Sequence, residues 1–203
     1  ALPICQHRCA AVIEAGKPID IVLIIGVPRD TRTTLDQGRT RTAGDYLSME
    51  GHVNTNSLAA AANYAWQYRA RGMLAQGSAS RAMKSEVMRF VADNPGLARS
   101  LSLFNVKQGW GLGGLSFLAF CHFVISGVGR PEDVDTFFIA LTEGVNLGRG
   151  HPALYVRNRM MTLSNDRVQN AKAELIFRAW NAWRKGETMD KIWLQGGVLP
   201  VLE

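Results

Sequence analysis

Cysteine is scarce in this 203-residue chain: Cys5, Cys9 and Cys121 are the only three. An odd, scattered set excludes a disulfide framework and fits a reducing compartment, so a cytoplasmic location is expected. No basic-then-apolar leader opens the sequence, so no secretory signal is expected either. Long hydrophobic runs are also missing. The most apolar stretch, residues 112–128, is interrupted by glycines and by His122. It falls short of the roughly 20 apolar residues a membrane-spanning helix needs and reads as a buried core helix, so no membrane partner is expected. There is no fixed-period repeat and no low-complexity tract. Metal-ligand spacing is absent too. On a helix Cys5 and Cys9 share a face but His7 points away from it, and neither a C-x-x-C nor an H-x-x-x-H occurs. No metal and no cofactor is expected.

What the sequence does have is positive charge. The formal balance is +6, with 47% hydrophobic and 20% charged residues. Those fractions are ordinary for a globular protein able to bury a core. The excess of cations favours an acidic partner, with nucleic acid or a nucleotide the leading class.

Taken in order, residues 6–15 have helical spacing at Cys9, Val12 and Ile13, with Gly16 in the place of a C-terminal cap. After Lys17-Pro18 the nearly continuous β-branched run of residues 19–27 predicts a strand covered on both faces. Pro28 suits the first turn of a helix to residue 35, ended by Gly38. Thr42 is a good N-cap for a short helix over 43–50, and Asp45 fills the acidic place of a capping box. A longer helix is expected over 57–71, then a linker at 76–80. Further helices are expected at 81–92, 96–105, 113–126, 131–142, 152–163 and 166–185, and a short strand at 192–194. The prolines at 95, 131 and 152 mark helix starts.

The chemistry concentrates near the beginning. His7-Arg8 opens a helix, where free backbone N–H groups and positive potential can complete a phosphate site; a solvated helix face is the plain alternative. Gly38-Arg39-Thr40-Arg41-Thr42 puts two arginines beside the next helix start, although Asp30, Asp36 or Asp45 could neutralise them internally. Arg69, Arg71, Arg81, Lys84 and Arg89 form a basic stretch relieved only by Glu86, with Trp66 and Tyr68 alongside. That pattern suits a stacking surface for single-stranded nucleic acid, or rings packed in a core. Arg157, Arg159 and Arg167, and Arg178, Arg184 and Lys185 near Trp180 and Trp183, raise the same two readings. Cys121-His122 reads as a packed core pair.

Gln6-His7-Arg8-Cys9-Ala10-Ala11-Val12, followed by a β-branched run, resembles the Asp-Gly-Gln-His-Arg motif of ParB/sulfiredoxin-like proteins of phages and mobile elements. Leu35-Asp36-Gln37-Gly38-Arg39-Thr40-Arg41-Thr42-Ala43-Gly44-Asp45-Tyr46-Leu47 is similar to that family's Asp-x-Gly-x-x-Arg-[Ser/Thr]-Ala-x-Asp-x-Leu segment. Ala179-Trp180-Asn181-Ala182-Trp183-Arg184-Lys185-Gly186 looks like its C-terminal helix. The resemblance implies a bacterial or phage-infected cell and a pocket that includes Gln6, His7 and Arg8. Asp36, Arg39, Arg41 and Thr42 complete the implied nucleotide- or DNA-phosphate site. Two departures stand out. Ile4-Cys5 replaces Asp-Gly, removing a carboxylate and a glycine that lets backbone approach phosphate. The strands that precede the motif in the family are also missing, which reads as truncation or a lost pocket.

The expected architecture is therefore mainly α: a small residual α/β, ParB-like unit at residues 1–51, then a helical domain at 52–203. The expected function is binding of DNA or a nucleotide through the arginine-rich phosphate site, with no catalytic residue assigned. Two alternatives stay open. One is a ParB-like nucleotidase or nuclease with His7 and Asp36 near the reacting phosphate. The other is a helical interaction protein with a degenerate motif, self-associating as a homo-oligomer through its apolar helices.

Overall fold

The computed structural model describes residues 6–22, 24–28, 30–31, 41–74, 81–105, 107, 111–163, 168–191, 194 and 198–203. The chain divides into a unit of residues Ala1–Thr40 and a larger one of Arg41–Glu203. Among the described residues the protein is all α, with nine helices and no strand.

In the smaller unit, α1 (Gln6–Ala15) ends at Gly16, whose N–H bonds the Val12 carbonyl at 3.0 Å. The β-branched run that follows departs from expectation. Its described residues, 19–22 and 24–27, have no regular secondary structure, and Val22 and Ile25 are 93% and 84% exposed. A strand is held by hydrogen bonds to a neighbour. No strand exists among the described residues to pair with it, so β propensity alone leaves its described residues exposed to solvent. The residual α/β unit thus shows one helix and an unpaired apolar segment. The expected strand at 192–194 finds no strand at Leu194, the one described position there. The linker at 76–80 and the helix expected from Pro28 to residue 35 lie largely outside the described residues.

The larger unit contains α2 (Ala43–Met49), α3 (Thr55–Arg71), α4 (Lys84–Asp93), α5 (Gly96–Ser102), α6 (Leu115–Ile125), α7 (Pro131–Glu143), α8 (Pro152–Thr162) and α9 (Val168–Arg184). Helix α2 packs on α3 and α4 within this unit. At its centre is α6, which touches α3, α5, α7 and α9. The reason is in its sequence: Phe117, Leu118, Ala119, Phe120, Cys121 and Ile125 leave it apolar nearly all round, and each is fully buried. A helix of that kind is stable only inside a bundle.

Rings knit the bundle together. Tyr64 and Tyr68 of α3 meet Phe117 and Phe120 of α6, and Tyr68 and Phe120 both meet Phe177 of α9. Trp180, fully buried, packs edge-on against Phe137 of α7 and stacks on Trp183. Helix ends follow local chemistry. Pro131 and Pro152 open α7 and α8, while the Gly72 and Gly144 N–H groups bond the Tyr68 and Ala140 carbonyls.

Side-chain amides stand in for peptide groups where the chain leaves its helices. Asn170 Oδ1 accepts from the Leu74 N–H at 2.7 Å and its Nδ2 donates to the Leu74 carbonyl, tying the segment after α3 to α9. Asn181 does the same for the last residues, accepting from the Glu203 N–H at 3.1 Å and donating to the Val201 carbonyl at 2.7 Å.

Candidate functional site

The residues singled out in the sequence fall in both units. Gln6, His7 and Arg8 open α1 in the smaller unit. Asp36 and Arg39 lie outside the described residues. Arg41 and Thr42 begin the larger unit. There Thr42 caps α2: its hydroxyl oxygen accepts from the Asp45 N–H at 3.2 Å. The Asp45 carboxylate in turn accepts from the Thr42 N–H at 2.7 Å and the Thr42 hydroxyl at 2.9 Å. The N-terminal donors that would bind a phosphate are therefore partly satisfied from within. Half-buried Arg41 places Nη1 3.9 Å from the Met49 sulfur across α2.

A second group is the basic stretch between residues 69 and 99, carried by the C-terminal end of α3, the turn at Arg81 that precedes α4, and α4 and α5. Helix α3 packs against both α4 and α5. Six cations occur here, Arg69, Arg71, Arg81, Lys84, Arg89 and Arg99, all exposed, against two acids, Glu86 and Asp93. Both acids are engaged. Glu86 accepts from the Met83 N–H at 2.6 Å as part of the α4 cap, and Asp93 lies 3.7 Å from Arg89. Arg69 lies over the Phe90 ring, 5.2 Å from its centroid, and donates to Asn94 at 3.3 Å. Among the described residues Arg71, Arg81, Lys84 and Arg99 have neither an ion pair nor a hydrogen bond through their side chains.

The other arginines differ. Arg157 donates to the Leu141 and Thr142 carbonyls at 3.0 and 2.5 Å and so closes the C-terminal end of α7. Arg178 pairs at 3.0 Å with Glu174, which is fully buried. Arg130 pairs with Asp133, and Arg184 lies over Trp180. These cations serve the fold. The aromatic neighbours of the basic stretches are likewise engaged: Trp66, Tyr64 and Tyr68 pack against the core, and Trp180 lies within it. Burial pushes the Tyr64 and Tyr68 hydroxyls above their ordinary pKa.

A buried polar cluster went unread in the sequence. His122 of α6 places Nδ1 2.9 Å from the Ser100 hydroxyl of α5 and Nε2 2.9 Å from the Asp135 carboxylate of α7. The Ser126 hydroxyl lies 3.3 Å from Nδ1, and the Phe104 and Phe138 rings meet the imidazole edge-on. The bonds suit a neutral ring whose Nε2–H donates to Asp135 while Nδ1 accepts from Ser100. Burial holds the imidazole below its ordinary pKa, against the opposing pull of Asp135. Serine, histidine and carboxylate also make up hydrolytic triads, but this set cannot work as one. Ser100 and His122 are 2% and 4% exposed, so no substrate carbonyl reaches the hydroxyl. The cluster fixes α5 and α7 to α6. Its members lie 13 and 22 residues apart in sequence, and no spacing rule links them.

Cys121, beside it, is fully buried, and burial pushes its thiol well up, which makes it an inert core residue. Among the described residues no three metal-ligating side chains converge, and no helix is long and apolar enough to cross a membrane. No protein-family model matches the chain, and no curated protein or solved structure matches it either.

Proposed function

We propose that this protein binds nucleic acid through phosphate contacts made by the basic residues of α3, α4, α5 and the turn before α4. The observation that carries the reading is the set Arg71, Arg81, Lys84 and Arg99: exposed and without acidic partners among the described residues, on α3, α5, α4 and the turn that leads into α4, with α3 packed against both α4 and α5. The charge resides chiefly in this unit, where 18 lysines and arginines face 13 aspartates and glutamates. Cations left unpaired on a surface attract a polyanion and release its counterions on contact.

The engaged rings refine the proposal. With Tyr64, Trp66, Tyr68 and Trp180 held against or inside the core, no described aromatic of these stretches offers a platform for bases. Binding then reads the backbone and not the sequence, and duplex, with its higher charge density and no need of stacking, should bind at least as tightly as single strand. The resemblance to ParB-like phage proteins, which rests on the motif residues alone, would add phosphate contacts at Arg8, Arg39 and Arg41. The direct test is fluorescence anisotropy with labelled DNA of unrelated sequences, single- and double-stranded, at low salt. Micromolar or tighter binding that does not distinguish the sequences, with duplex at least as tight as single strand, supports the proposal. Absence of binding, or recognition of a single mononucleotide only, removes it.

A further inference from the structure

The run between Pro18 and Pro28 carries an arrangement that neither its lack of a partner nor DNA binding explains. Six of its large apolar residues, Ile19, Ile21, Val22, Ile24, Ile25 and Val27, are exposed. Its composition is β-branched with a single charge, Asp20, and no internal proline, which is the composition of a segment that pairs with another strand. Exposed side by side, these residues are a liability unless something covers them.

The order of the residues says what fits. Read outward from position 23, the run is nearly symmetric: Val22 answers Ile24, Ile21 answers Ile25, Asp20 answers Gly26, Ile19 answers Val27, and Pro18 answers Pro28. An antiparallel pairing of two identical copies about that centre therefore places apolar against apolar at every apolar position. It sets each Asp20 opposite Gly26, well away from the other copy's carboxylate. In a parallel, in-register pairing the two Asp20 carboxylates would be neighbours, which is unfavourable. The prolines close both ends, because neither can donate to a ladder, and they limit the pairing to nine positions, about 30 Å of strand.

We propose that residues 19–27 pair with the same run of a second copy as an antiparallel two-stranded ribbon. Strand alternation puts Ile19, Ile21, Ile25 and Val27 of each copy on one face and Asp20, Val22, Ile24 and Gly26 on the other. The first face is wholly apolar, and a lone two-stranded ribbon is marginal in water. Two ribbons stacked on that face complete the burial, so the assembly contains four copies, falling to two on dilution.

Gly26 supplies a further handle. In the unpaired chain it sits at φ +80°, where a β-branched residue is strained, whereas a strand welcomes one. Gly26→Val therefore penalises the free form and favours the paired one.

The test is sedimentation of the whole protein over a wide concentration range, for wild type, Ile21→Lys/Ile25→Lys and Gly26→Val, with far-UV circular dichroism of each. Wild type should reach a mass of two or four chains. The double lysine variant should remain a single chain with its helical signal unchanged, which separates lost pairing from unfolding. Gly26→Val should assemble at several-fold lower concentration. Register is read by cross-linking in a Cys5→Ser/Cys9→Ser background, at a dilution where two copies and not four associate: Ile21→Cys mixed with Ile25→Cys should form the mixed disulfide, and Ile21→Cys alone should not. A single-chain mass for wild type throughout, an assembly indifferent to the lysines, weaker assembly of Gly26→Val, or 21-to-21 cross-linking overturns the proposal.

Discussion

His122 offers the sharpest test of how the bundle is held. Its ring makes one bond to a neutral hydroxyl and one to a carboxylate, and packs between Phe104 and Phe138. Truncating it to alanine removes a hydrogen bond of about 1 kcal/mol and a charge-assisted one of about 2 kcal/mol. Without the ring Ser100 can turn its one hydroxyl hydrogen to the Gly96 carbonyl at 3.0 Å, and Asp135, a third exposed, can turn to water, so neither adds a large desolvation cost. The cavity left behind adds to the loss. We expect His122→Ala to cost about 3 to 4 kcal/mol, or roughly 6–16 °C in Tm at about 2–4 °C per kcal/mol for a unit of this size.

The same site makes a signed prediction about pH. Burial lowers the folded-state pKa of His122, so the ring is neutral in both folded and unfolded chains above its ordinary value. As the pH falls through and below that value, the unfolded chain takes up a proton that the folded one resists. Stability must therefore fall on acidification from about pH 7.5 to pH 5, across the ordinary histidine pKa of about 6.5. His122→Leu, which cannot titrate, should lose less over that range. Urea denaturation followed by circular dichroism at the two pH values measures both effects. A cost below about 1 kcal/mol for His122→Ala would refute the hydrogen-bond accounting. Equal acid sensitivity in wild type and His122→Leu would refute the titration argument.

Two further substitutions probe the core around α9. A Cβ built on Gly129 would lie 2.5 Å from the Trp180 ring and 2.8 Å from Val134, both fully buried, so Gly129→Ala should destabilise by about 1–3 kcal/mol in thermal unfolding. Arg178→Ala deprives the fully buried Glu174 of its guanidinium partner, and a loss of about 3 kcal/mol is expected by chemical denaturation, partly recovered in Glu174→Gln/Arg178→Ala.

Much of the helical architecture was legible because its signals are local. Thr42 and Asp45 are three residues apart and form the capping box their identities imply; Pro131 and Pro152 begin helices; the apolar stretch around residue 120 is the buried helix it resembles. The strand over residues 19–27 was not legible in the same way. Its propensity is local, but a strand exists only through a partner, and among the described residues there is none. The polar cluster failed for the converse reason. Ser100, His122 and Asp135 are unremarkable individually, and three packed helices create the site. The distinction between structural and free arginines is of this kind too: Arg157 and Arg178 look no different in sequence from Arg71 or Arg81, and their carbonyl and carboxylate partners separate them.

The measurement that bears most directly on the proposed function is the salt dependence of DNA binding by wild type and by Arg71→Ala/Arg81→Ala/Lys84→Ala/Arg99→Ala. Each phosphate neutralised contributes about 0.9 to the slope of log K against log salt on duplex DNA. If all four residues contact phosphates, the variant's slope should be shallower by about 3 to 4, with helicity unchanged because the four side chains are exposed. An unchanged slope with intact affinity would place the nucleic-acid contact elsewhere. Wild-type binding that ignores salt, or no binding at all, would contradict the account itself.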